Sequence, residues 1–166
     1  MVDVHAVDAE AWQEVRAVRL AALADAPHAF GSTYAREFEF VEADWRRRLQ
    51  DERAVTYLAY RPHVADDPVG IAGGLFDPES GPNTVELVSM WVNPQARGRG
   101  AAAGLVDAIV SWARAERADQ VHLWVTESNE QARRLYQRCG FADTGERQPL
   151  PSDPTVAEVG MVRSIA

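Results

Sequence analysis

The sequence predicts a mixed α/β domain, and three observations support that prediction. The first is a strand, a helix and a second strand in the middle of the chain, at residues 84–92, 101–116 and 121–125. A crossover of this kind requires parallel pairing of its two strands. The second is that short strands on either side of the crossover form hairpins, which require antiparallel pairing. The third is length, because 166 residues fit one domain, here 1–166, with a sizeable core.

The elements of the N-terminal half follow from alternation, capping residues and prolines. Residues 2–7 alternate as a short strand, and Asp8 can cap a helix that runs to about Asp25 and ends before a proline. The next predicted elements are one helix and two strands, at residues 43–50, 55–60 and 69–76. No pattern places three phenylalanines of this region, which are Phe30, Phe38 and Phe40.

The central crossover has the clearest patterns. Residues 84–92 are almost continuously apolar, which is typical of a strand buried on both faces. Residues 101–116 form a helix with one buried stripe, made by Leu105, Ala108, Ile109 and Trp112. A second buried strand follows at residues 121–125.

The C-terminal part begins with a helix that Ser128 and Gln131 open as a capping box and that Gly140 closes. The inward face of this helix is made by Ala132, Leu135, Tyr136 and Cys139. Two final strands, near residues 142–146 and 156–163, flank a proline-rich loop. The predicted order is therefore β-α-α-β-β-β-α-β-α-β-β.

The composition excludes several classes of protein. The formal net charge is −8, which disfavours nucleic acid as a partner because phosphate neutralisation drives that binding. All 17 basic residues are arginines, so a nucleotide hydrolase with a phosphate-loop lysine is excluded. No stretch is apolar enough to cross a membrane, and the N-terminus does not resemble a secretory signal. With Cys139 as the only cysteine, we expect a cytoplasmic protein with no membrane partner.

The loop before the helix at 101–116 has the features of an anion site. Its members are small or cationic: Arg97, Gly98, Arg99, Gly100, Ala101 and Ala102. The two glycines let the backbone approach a ligand, and the two alanines keep the first helical turn bare. Helix N-termini present unpaired N–H groups and partial positive charge, which suit a pyrophosphate. The two arginines add positive charge that the acidic chain otherwise lacks.

A dinucleotide site is the rival interpretation of the same loop. Gly98-x-Gly100-x-x-Ala103 matches a dinucleotide fingerprint, with Asp119 about twenty positions further on. Residues 93–97, however, separate the glycines from the preceding strand, whereas the fingerprint glycines follow their strand at once. Asp119 also precedes the next strand instead of ending it. The dinucleotide interpretation therefore ranks second.

Two motifs together resemble the GNAT superfamily of acetyltransferases. The first is the family's coenzyme loop, with alanine where glycine is commoner at the last position: Val92-x-Pro94, then Arg97-x-x-Gly100-x-Ala102. The second resembles a further family motif and runs Asn129-x-x-Ala132-x-x-Leu135-Tyr136-x-x-x-Gly140-Phe141. The two stand in the family's order around a helix and a strand, and the resemblance covers about residues 84–146.

The resemblance implies a fold and a cosubstrate. The fold is a single mixed, twisted central sheet, flanked by helices, whose parallel strands at 84–92 and 121–125 splay apart. Acetyl-coenzyme A would enter that wedge, with its pyrophosphate on the 97–102 loop. Its pantetheine arm would lie against the backbone of Met90, Trp91 and Val92 and against Asn129. The 3′-phosphate would meet Arg133, Arg134 or Arg138, and the amine would arrive from the opposite side, under residues 25–40.

Tyr136 is the candidate general acid. Acetyl transfer from a thioester to an amine needs the amine to lose a proton and the leaving thiolate to be stabilised. Tyr136 lies on the apolar stripe of its helix, where its hydroxyl would meet the sulfur in a dry place. The alternative is a core tyrosine whose hydroxyl has a hydrogen-bond partner.

Glu86 is the candidate general base. It is the only ionisable residue between Val85 and Val92, and alternation places it on one face with Val88, Met90 and Val92. Family members that match here carry a base glutamate on this strand. A solvated position at the start of the strand, or a bulge that changes the register, is the alternative, with Glu127 as the reserve base.

Other reactive residues have ordinary explanations. Cys139 repeats the inward spacing of its helix and belongs to the core. Three consecutive arginines at 46–48 form a solvated helix face. The four histidines, His5, His28, His63 and His122, lack ligand spacing, so no metal is expected.

The sequence therefore predicts an N-acetyltransferase that moves acetyl from acetyl-coenzyme A to a primary amine by direct attack. The acidic surface favours a small cationic amine over a peptide N-terminus as the acceptor. Two alternatives remain, which are an NAD(P)-dependent oxidoreductase module that uses Gly98 and Gly100, and a non-catalytic coenzyme-A-binding domain. Exposed sheet edges are compatible with a homodimer.

Overall fold

The computed structural model describes residues 2–166. Its five helices are α1 Trp12–Asp25, α2 Tyr34–Phe38, α3 Glu42–Arg48, α4 Ala101–Ala115 and α5 Glu130–Arg138. Its seven strands are β1 Asp3–Val7, β2 Ala54–Tyr60, β3 Pro68–Phe76, β4 Thr84–Val92, β5 Gln120–Thr126, β6 Ala142–Leu150 and β7 Asp153–Ser164. No helix among the described residues is long and apolar enough to span a bilayer.

The seven strands form one mixed sheet in the order β1-β2-β3-β4-β5-β7-β6. Only β4 and β5 pair in parallel, and their pairing is confined to residues 84–86 of β4 and 120–122 of β5. Both strands continue beyond those positions without a partner between them, so the sheet opens into a wedge toward their carboxyl ends. The predicted mixed sheet with splayed parallel strands is confirmed.

Two apolar layers cover the sheet. On one face, α4 packs its stripe of Leu105, Val106 and Ile109 against strand residues such as Val85 and Val121. On the other face, Val15, Leu20 and Leu23 of α1 join Trp45 of α3 and Trp91 of β4 in a second cluster. The helices therefore hold both sides of β4, and the near-continuous apolar run of that strand follows from this double burial.

The structure differs from the sequence-based prediction in three secondary-structure elements or their ends. An additional short helix, α2, is capped by the Thr33 side chain. Helix α5 is capped by Asn129, whose side chain accepts a hydrogen bond from the Ala132 amide, so the predicted capping box of Ser128 and Gln131 is wrong. Strands β6 and β7 extend into the proline-rich segment, where β6 forms a sheet edge that tolerates proline.

A bulge in β4 changes which side chains share a face. Ile71 of β3 pairs with Trp91, whereas Gly73 pairs with Val88, so β4 contributes one extra residue between these pairs. Ser89 lies in that extra stretch and has a positive φ of 61°. After the bulge Met90 and Val92 pack toward α4, while Trp91 packs toward α1. The predicted common face of Glu86, Met90 and Val92 is therefore wrong.

Gly140 ends α5 as predicted, in the left-handed conformation with a φ of 90°. The Phe141 amide donates to the Tyr136 carbonyl and the Gly140 amide to the Gln137 carbonyl, which is a Schellman arrangement. This turn brings Phe141 back against Tyr136, with ring centroids 6.0 Å apart. The cap therefore fixes the packing of the candidate acid.

We expect Gly140→Ala to lower the free energy of unfolding by about 1–2 kcal/mol, because a side chain is strained in the left-handed region. Chemical denaturation measures the change. Gly104→Ala is the matched control, since Gly104 lies within α4 and helical alanine is favoured over glycine by about 0.5–1 kcal/mol. Equal stability of Gly140→Ala and the native chain would contradict a strained cap.

Candidate active site

A cleft of about 560 Å³ opens on the α1 face of the sheet, where β4 and β5 separate. Its floor includes Glu86, Val88 and Ser89 of β4 and Trp124 of β5. Residues 29–32 close one side and Gln148 and Pro151 another. Part of the segment at 25–40, under which we expected the amine, therefore contributes to the cleft. The cleft is therefore reached from the side opposite to α4.

Glu86 is buried in the wall of this cleft, with 5% of its surface exposed. Its Oε2 accepts hydrogen bonds from the Ser80 hydroxyl at 2.6 Å and from Nδ1 of His122 at 2.7 Å. The hydrogen bonds from Ser80 and His122 therefore both end on Oε2. The other carboxylate oxygen, Oε1, remains available to a group in the cleft.

Four carboxyl groups line the cleft, which are those of Asp77, Glu79, Glu86 and Glu158. Burial raises the pKa of Glu158, a hydrogen bond from Gln148 opposes that rise, and the charge of Glu86 adds to it.

The reserve base Glu127 is not part of this wall, because its carboxylate binds the Arg147 guanidinium at 2.8 Å. Among the described residues no cluster of His, Cys, Asp or Glu is arranged to hold a metal ion.

Two arginines of the cleft share one buried carboxylate. Glu37 of α2 is 1% exposed and receives two hydrogen bonds from Arg19, at 2.9 and 3.0 Å, and one from Arg48 at 3.2 Å. Although burial raises the pKa of Glu37, the two guanidiniums outweigh it and lower the pKa. Arg48 is exposed, as predicted for the face at 46–48, and it also has a structural partner in Glu37.

Arg19 also connects α2 to the bulge in β4. Its Nη1 donates to the Ser89 hydroxyl at 3.0 Å, and its guanidinium lies 4.8 Å from the centre of the Phe30 ring. One side chain thus joins the strand that carries Glu86 to the segment that covers the cleft. The arrangement ties α2 and the segment at 29–32 to β4 without using the carboxylates of the cleft wall.

The 97–102 loop lies at the carboxyl end of β4 and is open to solvent at its glycines. Gly98 and Gly100 have φ values of 79° and 82°, and a Cβ at either position would meet nothing within 4 Å. Gly100 is the N-cap of α4, and the first intrahelical amide bond runs from Gly104 to Gly100. The amides of the first turn therefore have no helical partner, and the loop fits a phosphate group.

The two arginines of this loop differ in their surroundings. Arg97 turns back onto the chain, where its Nε donates to the Val92 carbonyl at 3.1 Å and its Nη2 lies 3.5 Å from Asp25. The same Asp25 carboxylate accepts from the Trp91 indole at 2.9 Å. Arg99 is exposed and has no ion-pair partner among residues 2–166. Arg99 is therefore the guanidinium that is free for an anion.

The backbone of Met90, Trp91 and Val92 forms an open edge on the side of the wedge. Pairing of β4 with β3 continues to Val92, whereas pairing with β5 ends at Glu86. An extended ligand arm can therefore add to this edge as a strand would. The Val92 carbonyl already accepts one hydrogen bond from Arg97, and its second lone pair can accept another.

Tyr136 lies in the apolar cluster around α4, on the opposite face from the cleft, and is 6% exposed. Burial and the nearby Cys139 raise the pKa of its hydroxyl, which therefore stays protonated at neutral pH. No hydrogen bond to this hydroxyl is found within residues 2–166, unlike in an ordinary core tyrosine. Asn129 uses Oδ1 to cap α5, which leaves its amide nitrogen free to donate.

Sequence reasoning missed a side chain that contacts the candidate base. His122 was set aside for want of metal-ligand spacing, yet its ring contacts Glu86 and, through Nε2 at 2.9 Å, Glu146. The missed signal was register, because Glu86 and His122 are direct partners in the parallel pair of β4 and β5. Both residues lie near the start of their strands, where the predicted crossover already required pairing.

Comparison with known proteins gives one family and many similar folds. The model of the Acetyltransferase (GNAT) family matches residues 17–141. No curated protein matches the sequence.

Several solved structures share the whole architecture. An acetyltransferase of the GNAT family from Streptococcus pneumoniae has a TM-score of 0.77 at 16% identity, with 100% of each chain covered. A ribosomal-protein-alanine N-acetyltransferase from Brucella melitensis has a TM-score of 0.78 at 17% identity, covering 98% of this chain and 99% of that one. The protein yncA from Salmonella typhimurium, solved with its cofactor acetyl-CoA, has a TM-score of 0.78 at 15% identity, covering 100% of this chain and 95% of that one.

Proposed function

The chain belongs to the acetyltransferase (GNAT) family, and from that premise we propose that it transfers an acetyl group from acetyl-coenzyme A to a primary amine. The observation that supports this most is the wedge between β4 and β5, with Glu86 in the cleft on one side and the glycine loop before α4 on the other. A donor and an acceptor can thus approach the same gap from opposite faces of the sheet.

The cosubstrate would supply an activated acetyl thioester, and the residues present fit such a ligand. The open amides of the 97–102 loop and the Arg99 guanidinium would hold the diphosphate. The free edge of β4 at 90–92 and the amide nitrogen of Asn129 would hold the pantetheine arm. Since each group lies at the carboxyl end of β4 or β5, one extended ligand can reach them all.

Two residues would manage the protons of the reaction. Glu86 would take a proton from the acceptor ammonium through Oε1, so that the nitrogen lone pair can attack directly. Tyr136 would hold a proton on its hydroxyl for the departing sulfur, since its raised pKa keeps that hydroxyl neutral. No nucleophilic side chain of the enzyme is needed in this scheme.

The acceptor that the cleft favours is a small cationic amine. Four carboxyl groups line it, whereas its two arginines share the buried carboxylate of Glu37. A cleft with excess negative charge attracts an ammonium and concentrates it near Glu86. A peptide N-terminus offers the same group with a single charge, so it is the second candidate acceptor.

Binding and turnover test the proposal separately. Calorimetry should detect acetyl-coenzyme A and not NADPH, because only one parallel strand pair is present and the doubly wound parallel sheet of a dinucleotide fold is absent from residues 2–166. A panel of diamines, monoamines and short peptides, followed by release of free thiol, should identify the acceptor. Tight binding of acetyl-coenzyme A with no thiol release from any amine would instead indicate a non-catalytic binding domain.

Charge reversal at Arg99 should weaken cosubstrate binding. We expect Arg99→Glu to raise the Kd for acetyl-coenzyme A about 10-fold, or about 1.4 kcal/mol, through loss of one charge-assisted contact to phosphate. Arg114→Glu is the matched control, because it makes the same charge change at the exposed far end of α4. Equal losses in both variants would show that net charge, and not the loop, controls the affinity.

A further inference from the structure

Three titratable side chains form one hydrogen-bonded chain across the sheet. Glu86 of β4 contacts Nδ1 of His122 at 2.7 Å, and Nε2 of the same ring contacts Oε1 of Glu146 on β6 at 2.9 Å. The chain starts in the cleft wall and ends at a carboxylate whose side chain is 51% exposed. It therefore connects the candidate base with the far edge of the sheet.

The sheet is built to let Glu146 reach His122. Strand β7 lies between β5 and β6, so the Glu146 side chain has to pass over it. It does so at Gly160, where a Cβ would stand 2.7 Å from Oε1 of Glu146 and 3.0 Å from Nε2 of His122. Thr144 donates to the same oxygen at 2.7 Å, and Gly145 has a φ of 85° beside it. Gly160, Thr144 and Gly145 thus all allow or stabilise the contact between Glu146 and His122.

The two contacts require a charged imidazole. Each ring nitrogen of His122 faces a carboxyl oxygen. When both carboxyl groups are ionised they accept hydrogen bonds without donating them, so both nitrogens carry protons. Burial disfavours this charged form, but the two carboxylates outweigh burial and raise the pKa of His122 above its ordinary value. The third acidic group of this region, Glu158 of β7, has a raised pKa of its own and adds less negative charge.

We propose that His122 is a positioning residue, which places a cation beside Oε2 of Glu86 and keeps Oε1 directed to the cleft, and that Glu146 keeps His122 doubly protonated. This inference rests on the proposed function, since it assigns His122 a role only if Glu86 is the base. A base needs a free carboxylate oxygen to accept a proton from the substrate, and Ser80 and His122 both bind Oε2 of Glu86, not Oε1.

His122→Asn tests the effect on the base. Asparagine places an amide nitrogen close to the position of Nδ1, so it can still donate to Oε2 of Glu86, but it carries no charge. Without the cation we expect the acid limb of the kcat/KM profile to move about one pH unit upward. Above the displaced limb, activity should recover to within about threefold of the native enzyme, because the carboxylate remains oriented.

Glu146→Gln tests the other half of the chain and leaves the ring in place. In ¹⁵N-histidine NMR titrations, assigned with the His122→Asn variant, the pKa of His122 should fall by about one unit relative to the native protein. Asp143→Asn is the matched control, because it removes a carboxylate from the same strand that faces Arg133 instead of His122. It should leave the pKa of His122 unchanged.

The outcomes separate this inference from the proposed function. An acid limb at its native pH in His122→Asn, with activity low at every pH, would leave His122 a merely structural residue. A pKa of His122 that does not change in Glu146→Gln would overturn the chain itself. If the native protein acetylated no amine, the proposed function and the role of His122 in it would both fall, while the NMR titrations would still decide whether the three groups are coupled.

Discussion

Replacing Glu86 with glutamine should lower kcat/KM about 1,000-fold at neutral pH, because the base that takes the acceptor proton is lost. Glutamine has nearly the same shape, and its carbonyl oxygen can still accept from the Ser80 hydroxyl and from Nδ1 of His122. The fold and the cleft should therefore be retained, which thermal unfolding can check. Initial rates of thiol release across a range of pH measure the effect.

The pH profile distinguishes a lost base from a damaged cleft. In Glu86→Gln the deficit should narrow as the pH approaches the pKa of the acceptor amine, because a free amine needs no base. Glu79→Gln is the control, since it removes another cleft carboxyl group from an exposed turn and should change kcat/KM less than about fivefold. A constant deficit at every pH, or a loss in Glu79→Gln of the same size, would contradict the role of Glu86.

The sequence was sufficient for the architecture because the decisive signals are local. The apolar run at 84–92, the helical stripe at 101–116 and the glycine cap at 140 each depend on residues close together in the chain. Together they determined the parallel pair, the crossover and the position of the glycine loop before α4, all of which the structure contains. Helix α2 has only five residues and is too short for its periodicity to show.

The details of the site depended on contacts between distant residues. The bulge at Ser89 is stabilised by Arg19, which lies 70 positions away in the chain, so alternation within β4 alone gave the wrong face for Met90 and Val92. Arg97 matched the coenzyme motif, yet Asp25 and the Val92 carbonyl hold it against the protein. The spacing of residues in the motif does not reveal the contacts of Arg97 with Asp25 and with the Val92 carbonyl.

His122 shows the same limit beside the candidate base. Its partners come from two other strands, and one of them reaches it only because Gly160 leaves a gap in the strand between. A search for metal-ligand spacing compares a histidine with its neighbours in the chain. The partners of His122 are instead determined by which strands lie beside its own. Strand register, once a parallel pair is predicted, is the signal that identifies such a residue.

Tyr136→Phe should lower kcat about 100-fold and change the KM for acetyl-coenzyme A little, because the variant removes only a proton donor to the leaving group. The ring stays in its packing against Phe141, so stability should change by less than about 1 kcal/mol. The hydroxyl has no hydrogen-bond partner among residues 2–166, and removal of an ordinary structural hydroxyl would therefore cost no contact. A large kinetic effect with an unchanged fold would thus point to chemistry.

Tyr57→Phe is the control for this change, because Tyr57 is also partly buried against the α4 cluster and burial also raises the pKa of its hydroxyl. Its kcat should stay within about twofold of the native value, since β2 does not border the wedge. Single-turnover measurements should place the loss in Tyr136→Phe on the chemical step and not on product release. A fall of less than about threefold in Tyr136→Phe would show that the departing thiolate leaves without a proton from this residue, and would leave Glu86 as the one proton-transfer group of the site.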